Sequence, residues 1–492
     1  MTFAVLAAAI GAYALLQSLV VPVLTTLQAQ LHTSQDNATW VLTAYLLSAS
    51  IFTPILGRVG DMIGKERVFV VTLAALAAGS VMAALAPNIG IMIIARVIQG
   101  VAGGMVPVGF GIIRDEFPPE KVAGAVGTLA SLTAVGAGLG IVLAGPIVSA
   151  LGWQYLFWLP MILTIIAGIA AVIFIPESPV KSPGSISWLP AVLLSVWLVA
   201  ILVALSEAPV WGWGSWKVIV LLTGGVVLAA TWVTSELRAR TPLIDMKMMR
   251  LPAVWTNNLV SLLLGLGMYA TFAFLPEFLQ TPRALAGYGF TASIIVSGLM
   301  LLPSTVTMFA AGMLAGRLTS RFSGKALVVW GCLIGAVSMA LLAFAHHSEW
   351  EIVIATGLMG VGIGFAFSAM SALVVSAVPP QQTGVATGMN ANIRTIGGSI
   401  GSAAMASIVT SHLGSRGLPA ESGYTTGFAV LAAGMILAAG AGILIPAVRR
   451  ASSGAPARLA GEPVQAVEPP VAADVEVTGA PPTMGDTLAT NE

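Results

Sequence analysis

Fourteen apolar segments, most of them about 18–25 residues long, follow one another along this chain and constrain its fold more than any other feature. A helix needs roughly 20 apolar residues to cross the hydrocarbon core of a bilayer, so each segment can span a membrane. We therefore predict an all-α polytopic membrane protein with the lipid bilayer as its surroundings. The predicted spans are 3–24, 38–57, 68–86, 91–112, 122–150, 156–175, 186–205, 217–235, 253–276, 291–314, 326–344, 352–377, 385–410 and 425–447.

The charge content excludes several classes of function. Only 8% of the 492 residues are charged, whereas a soluble domain carries about 25%, so the chain is not a soluble enzyme. The net charge of +1 leaves no basic excess to attract nucleic acid. The single cysteine, Cys332, excludes a disulfide framework and a cysteine-based metal centre. We predict no cofactor, no metal site and no nucleic-acid partner.

Lysine and arginine are distributed unevenly between the two sides of the predicted membrane. With the N-terminus inside, 16 of the 21 lie in internal loops or the C-terminal tail and three lie in external loops. Internal loops of membrane proteins carry an excess of these residues. The pattern predicts that both termini are cytoplasmic in a multi-pass protein of the cell (inner) membrane. The other two, Arg96 and Arg394, fall within spans.

A short loop motif occurs twice. Residues 57–67 follow the second span, and the related segment 316–325 follows the tenth. The second copy has one more residue between its two glycines, Gly316 and Gly324, and has Arg321 in place of Asp61. This spacing indicates a duplicated six-helix unit with two extra spans between the copies. The predicted domains are an N-terminal six-helix bundle (1–180), two linking helices with a cytoplasmic loop (181–250), a C-terminal six-helix bundle (251–447) and a disordered cytoplasmic tail (448–492).

The first copy of the motif has the composition of a conformational latch. Its glycines permit a tight turn and a close helix approach, and Asp61 can pair with the neighbouring cations or cap the next helix. The predicted latch residues are Gly57, Asp61, Gly64, Lys65 and Arg67, and the corresponding second-half residues are Arg317, Arg321, Gly324 and Lys325. The alternative is an ordinary basic cytoplasmic loop.

The two arginines inside spans are candidate coupling or cavity residues. An arginine in the hydrocarbon core costs at least about 2.5–3.5 kcal/mol, so it should face protein or water. Arg96 precedes Gln99 and Gly100, which we include in the candidate site, although Arg96 could instead extend to the outer interface. Arg394 lies deeper in its span, and the glycines that follow it allow neighbouring helices to approach.

The fifth span contains a glycine series that ends in a Gly-Pro pair. Small residues four apart allow helices to pack backbone to backbone, and a proline removes a backbone hydrogen bond. We predict a hinge or gate at Gly136, Gly140, Gly145 and Pro146, with a plain helix-packing contact as the alternative.

With these motifs the chain resembles the major facilitator superfamily, and within it the fourteen-helix drug:proton antiporter branch. Residues 57–67 match the loop 2–3 motif of the family, and 96–104 match its fourth-helix motif, whose arginine is implicated in proton coupling. The 136–146 segment matches the fifth-helix motif of exporters. The resemblance implies two six-helix bundles around a central cavity, plus two extra helices between them, working by alternating access.

One departure concerns the proton carrier. The branch usually has an aspartate in the first span, near where this chain has Gln17 and Ser18, and no carboxylate falls in the middle of a predicted span. A carboxyl proton carrier would then be Asp36 or Glu277 at an outer cavity mouth, or Asp61 at the latch, or it would be absent.

These observations predict a monomeric secondary active exporter of small amphipathic compounds, such as drugs or antibiotics, in exchange for protons. The chain has no ATP-binding loop motif, so an ion gradient is the expected energy source. Two intramembrane arginines without a partner acid favour neutral or anionic aromatic substrates. The alternatives are a proton-coupled importer on the same fold and, more remotely, a membrane sensor or enzyme, for which the spans lack a catalytic cluster and the tail lacks an output domain.

Overall fold

A computed structural model describes residues 1–177, 187–239, 242–319, 321–379, 382–412 and 419–446, and nearly all of them are helical. The predicted disordered tail, 448–492, lies outside the described residues. The first-half helices are α1 Thr2–Leu19, α2 Leu24–Gln30, α3 Gln35–Ile63, α4 Lys65–Ala84, α5 Ile89–Gly100, α6 Met105–Glu116, α7 Pro119–Leu151 and α8 Tyr155–Phe174. Next come α9 Trp188–Trp211, α10 Trp216–Arg238 and the short α11 Met246–Met249. The second-half helices are α12 Pro252–Gln280, α13 Arg283–Ala286, α14 Ile294–Leu318, α15 Gly324–Phe344, α16 Glu349–Ala377, α17 Thr383–Ser411 and α18 Glu421–Ile443.

The helices match the predicted spans. Within the described residues, 13 helical segments are long and apolar enough to cross a membrane. The remaining predicted span, 385–410, is α17, which is 29 residues long but rich in Gly, Ser, Thr and Asn. The fourth span is interrupted by a 3-10 turn at Val101–Gly104, because Gly103 and Gly104 bring the chain against Thr53 and Leu56 of α3.

Three of the connections follow directly from local chemistry. Gly64 alone separates α3 from α4, and its φ of 120° is a conformation that residues with a Cβ rarely adopt. The α16 helix begins with a capping box formed by Ser348 and Glu351. The first span continues through a 3-10 turn at Pro22, where the missing N–H interrupts the regular α-helix.

The long helices form two bundles, as predicted. In the first half α1 packs against α7 and α8, α3 against α5, and α4 against α8, α5 and α6. In the second half the equivalent packing joins α12 to α17 and α18, α14 to α16, and α15 to α16 and α18. The halves meet along two seams, α7 against α14 and α16, and α3 and α6 against α17.

The outer surface of the bundles is apolar. Ile166, Ile169 and Ile173 on α8 are 59–65% exposed, and Val226 and Val227 on α10 are exposed to a similar degree. An apolar patch of this size on a soluble protein would promote aggregation or binding. The surface therefore fits a multi-pass protein whose helices face lipid.

The linking helix α9 differs from its prediction in length and position. It extends six residues beyond the predicted end, because Pro209 is accommodated inside the helix, and Glu207 consequently lies within it, 9% exposed. The α9 helix packs against α10, where the rings of Trp197 and Trp232 are 5.8 Å apart, and also against α3 and α17 of the two bundles.

Candidate transport cavity

A cavity of about 440 Å³ lies between the two halves. Its walls come from α1, α3 and α7 of the first half, α12, α16 and α17 of the second half, and α9. The lining is amphipathic, because it combines aromatic side chains with scattered hydroxyl and amide groups. The six aromatic residues are Tyr13, Tyr45, Tyr269, Phe272, Phe274 and Phe367. A cavity of this size and composition fits a small amphipathic compound.

Arg394 is the one charged side chain among the described residues that line the cavity. Its Cζ atom lies 4.3 Å from the centroid of the Phe367 ring, a cation–π distance. Its Nε has no hydrogen-bond partner in the described part of the chain. As predicted, the helices pack closely around it, since a Cβ on Gly397 or Gly401 would overlap backbone of α12. The described cavity wall therefore carries one positive charge, on the guanidinium of Arg394.

Arg96 lies behind the cavity wall and is fully buried in protein, so it does not extend to the outer interface. Its Nε donates to the Val41 carbonyl at 3.0 Å, and its Nη1 donates to Oε1 of Gln99 at 2.7 Å. Its Cζ lies 4.3 Å from the centroid of the Tyr45 ring, whose residue lines the cavity. Arg96 thus contacts a residue of the cavity lining, Tyr45.

The neighbours of Arg96 fix it against α3 and α4. Gln99 accepts a hydrogen bond from Arg96 and also donates one, from its Nε2 to Oγ of Ser80 on α4 at 3.0 Å. Gly100 lies so close to α3 that an added Cβ would be 2.8 Å from the Tyr45 carbonyl oxygen. The predicted Arg96, Gln99 and Gly100 set is therefore one packed unit between three helices.

The cavity is closed at the end of the bundle that carries the α3–α4 turn. An added Cβ on Gly57 would lie 2.8 Å from the backbone of Gly384, and one on Gly388 would lie 3.2 Å from Cα of Pro54. This seam between α3 and α17 lies next to the cavity, whose lining on these helices extends away from it, over 42–53 and 391–406. The two halves therefore touch at the α3–α4 end, backbone against backbone.

A buried charge cluster lies next to this seam. Nζ of Lys65 is 2.6 Å from Oδ2 of Asp115 and 3.7 Å from Oδ1 of Asp61, and all three side chains are at most 2% exposed. Neither carboxylate oxygen of Asp61 has a hydrogen-bond partner within the described residues. The pairing of Asp61 with Lys65 follows the sequence prediction, whereas Arg67 turns outward and pairs with Glu177 at 2.9 Å.

The sequence prediction missed two members of this region, Asp115 and Arg114. The guanidinium of Arg114 crosses to the second half, where Nη1 donates to the Val375 carbonyl and, at 2.8 Å, to Oγ1 of Thr383. The available signal was the charged run Arg114-Asp115-Glu116 at the end of the fourth span. Asp115 thus belongs to the buried cluster, and Arg114 forms hydrogen bonds between the two halves.

The second copy of the loop motif forms no comparable buried cluster in the described residues. Arg321 is exposed, with its Cζ 5.9 Å from the ring centroid of Phe322, and Lys325 is partly exposed. Gly324 begins α15 and packs against Leu373. Arg317 lies in the last turn of α14. The repeat is therefore preserved in position, while the buried charge cluster is found only in the first copy among the described residues.

The predicted hinge residues on α7 divide between two neighbours. Gly136 and Gly140 face α1, where an added Cβ would overlap Ala14 or Ser18, while Gly145 faces Ile295 of α14 in the other half. Pro146 lies inside α7, which continues to Leu151. The glycine series consequently lets α7 pack tightly against its own half and across the seam.

Of the two predicted acids of the outer mouth, Glu277 is not among the residues that line the cavity. Glu277 lies in the last turn of α12 with an exposed side chain. Asp36 lies at the start of α3, and its side chain is outside the described part. No acidic residue occurs among the described lining residues. Glu207, two residues beyond the end of the predicted span 186–205, is next to the lining residue Ser206.

Comparison with known proteins agrees with this architecture. The family model described as Major Facilitator Superfamily matches residues 6–402 and, in a second match, 258–472. The Tetracenomycin C resistance and export protein of Streptomyces glaucescens is 27% identical over 397 residues, which cover 79% of this chain and 72% of that protein. A Multidrug resistance protein B homolog of Mycobacterium tuberculosis is 28% identical over 393 residues, covering 78% and 71%.

A solved structure shares the fold. The human organic anion transporter MFSD10 superposes with a TM-score of 0.67 at 16% identity, and the match covers 90% of this chain and 99% of that chain. The family match extends over both bundles, and the helix arrangement is the one that this family shares. The chain therefore belongs to the major facilitator superfamily and is a transporter, not an enzyme.

Proposed function

We propose that the protein is a secondary active exporter of small amphipathic compounds, such as drugs or antibiotics, driven by proton exchange through alternating access. The observation that carries the proposal is the amphipathic cavity between the two bundles, which is closed by the backbone contact of α3 with α17 at the α3–α4 end. The names of the relatives, an antibiotic export protein and multidrug resistance proteins, support export.

The uneven distribution of cations assigns the closed end to the cytoplasm. The α3–α4 turn carries Arg58, Lys65 and Arg67, and the α14–α15 turn at the same end carries Arg321 and Lys325. By the positive-inside rule this end is cytoplasmic in the cell membrane, as are both termini. The cavity then represents an outward-facing state of a monomer in which the bundles 1–180 and 251–447 rock about the linking segment 181–250.

The latch keeps the cytoplasmic end closed in this state. Lys65 neutralises one of two buried carboxylates, and Arg114 of the adjoining helix holds α16 and α17 of the other half. Because the Asp61 oxygens lack hydrogen-bond partners in the described residues, a change at Asp61 alters the charge balance of the cluster. We propose that opening of this seam and proton binding at a carboxyl group are coupled here.

The chemistry of the cavity wall favours neutral or anionic aromatic substrates. Six aromatic rings supply stacking surfaces, and Arg394 supplies the one charge on the described lining. A strongly cationic compound would meet this guanidinium without a compensating acid. An anionic group, in contrast, can accept a charge-assisted hydrogen bond from it.

Transport in everted membrane vesicles of a pump-deleted bacterium tests the proposal. An inside-acid gradient should drive uptake of an anionic aromatic dye into vesicles that contain the protein, and a protonophore should abolish that uptake. Gradient-driven uptake by whole cells instead would establish the importer, and gradient-independent movement in both preparations would refute proton exchange.

The coupling carboxyl group can be identified in the same vesicles. Asp61→Asn, Glu277→Gln and Glu207→Gln should be compared for gradient-driven uptake and for substrate exchange without a gradient. We expect Asp61→Asn to lose the gradient-driven uptake while keeping exchange. If all three variants behave like the wild type, no carboxyl group among them carries the proton.

A further inference from the structure

The linking helix α9 contributes directly to the cavity. Leu205, Ser206 and Pro209 are part of its lining, although α9 lies outside the duplicated six-helix units. The other linking helix, α10, packs against α9 on the side away from the cavity, and most of its residues are exposed. One helix of the linking pair thus faces the cavity, and the other faces lipid.

Two hydrogen bonds hold this part of α9 and the turn after it between the halves. Oγ of Ser206 is 3.2 Å from Oγ1 of Thr43 on α3, in the first half. Nε1 of Trp213, in the turn after α9, donates to Oγ of Ser407 on α17, in the second half, at 2.7 Å. Both contacts lie toward the end opposite the Gly57–Gly384 seam. The α9 helix therefore fills the space between α3 and α17 where those two helices border the cavity.

The proline in α9 adds polar character to this wall. Pro209 has no N–H, so the carbonyl of Leu205 is released from its helical hydrogen bond. That carbonyl belongs to a lining residue and is followed at once by the Ser206 hydroxyl. An acceptor and a hydroxyl therefore occur together in the part of α9 that lines the cavity.

We propose that α9 is the side wall of the transport cavity, that Leu205, Ser206 and Pro209 contact the substrate, and that Ser206 helps to determine specificity. The inference rests on the proposed transport function. In an alternating-access cycle α3 and α17 must approach each other at the outer end when the cytoplasmic seam opens. The α9 wall occupies that space, and our proposal is that it moves away from α3, which breaks the Thr43–Ser206 contact in every cycle.

Cross-linking tests the moving contact. The chain has one cysteine, Cys332, so Cys332→Ala provides a background for the pair Thr43→Cys and Ser206→Cys. Oxidation or a short bifunctional thiol reagent should stop gradient-driven transport, and a reductant should restore it after oxidation. The two single-cysteine variants, treated in the same way, are the controls.

The outcomes separate this inference from the proposed function. Transport by the reduced pair but not by the cross-linked pair supports the moving wall. Equal transport before and after verified cross-linking overturns it while leaving the exporter intact. Absence of transport in the reduced pair, in the single-cysteine variants and in the wild type refutes the exporter itself.

A matched pair of substitutions tests specificity. Ser206→Phe places a bulky ring in the cavity, whereas Ser195→Phe changes the same helix at a serine that bonds its own Ala191 carbonyl and is not a lining residue. We expect Ser206→Phe to lower transport of the largest compound in a size series roughly tenfold relative to the smallest. We expect Ser195→Phe to preserve the ranking.

A smaller substitution at the same position tests specificity even if the phenyl ring of Ser206→Phe disturbs folding. Ser206→Ala removes the hydroxyl and keeps the helix, and it should change the relative transport of substrates with and without a hydrogen-bond donor. Unchanged rankings in both Ser206 variants, with wild-type amounts of folded protein, would overturn the assignment of Ser206 to specificity.

Discussion

The side-chain amide of Asn392 on α17 donates a hydrogen bond of 2.6 Å to the carbonyl oxygen of Ser50 on α3, and so joins the two halves at the closed end of the cavity. That carbonyl is available because Pro54, four residues later, has no N–H to bond it within the helix. Both residues are at most 3% exposed. A local interruption in one helix is thus satisfied by a side chain from the other half.

Asn392→Leu should weaken the closed state. Removing the amide leaves the buried Ser50 carbonyl unsatisfied in the closed state, at a cost of about 1–3 kcal/mol. Spin labels at Lys121 on α7 and Ser376 on α16, exposed positions of the two halves, should report longer distances at the cytoplasmic end. Adding Pro54→Ala restores an N–H for Ser50 and should reverse part of the shift. Identical distance distributions in all variants would contradict this account.

Lys65→Met should destabilise the folded protein strongly. The substitution leaves Asp61 and Asp115 buried without their cation, and breaking a buried pair costs about 3–5 kcal/mol. Thermal unfolding in detergent measures the effect, and adding Asp115→Asn should recover part of it. Arg67→Met is the matched control, because its pair with Glu177 is 62% and 45% exposed and should change stability by less than about 1 kcal/mol. Equal losses in the two variants would show that burial of the cluster is unimportant.

Gly57→Ala should impair closure of the cytoplasmic end. The new methyl group would lie 2.8 Å from Gly384 backbone, which cannot move aside as a flexible side chain can. Overpacking of this kind costs about 1–3 kcal/mol, enough to shift the equilibrium toward the state open to the cytoplasm roughly tenfold. The spin-label distances and the transport rate measure the shift. Gly124→Ala on α7, where a Cβ meets no atom within 4 Å, should resemble the wild type.

Arg394→Gln should reduce the transport of anionic compounds selectively. A hydrogen bond to a charged group contributes about 1.5–3 kcal/mol, so a loss of roughly tenfold or more is expected for an anionic dye and a smaller one for a neutral analogue. Initial rates in proteoliposomes measure both. Arg321→Gln, at an exposed position away from the cavity, is the control. Equal losses for the two dyes would assign Arg394 a structural role.

The fourteen predicted spans and the halves they form follow from local properties. Length and apolarity determine which segments cross a bilayer, and the paired segments 57–67 and 316–325 indicate a duplication. Gly64 forms the predicted tight turn, and Gly397 allows the predicted close approach of neighbouring helices. Both predictions were possible from the sequence because the lack of a Cβ has the same consequence in any surroundings. The cost of a charge in hydrocarbon favoured a buried Arg96 over one that extends to the outer interface, and the side chain is buried.

The partners of these residues depended on which helices meet. The sequence places Lys65 four residues from Asp61, yet its closest partner is Asp115, 50 positions away. Likewise the position of α9 between α3 and α17 has no signature in its own uniformly apolar sequence.

The sequence alone therefore determined that this chain is a polytopic membrane protein with two related halves, because hydrophobic length and repeated motifs act locally. Only the tertiary structure decided that Asn392 satisfies Ser50, that Asp115 pairs with Lys65 and that α9 borders the cavity. These contacts join residues far apart in the chain, and their formation depends on the packing of helices whose outer surfaces are all similarly apolar.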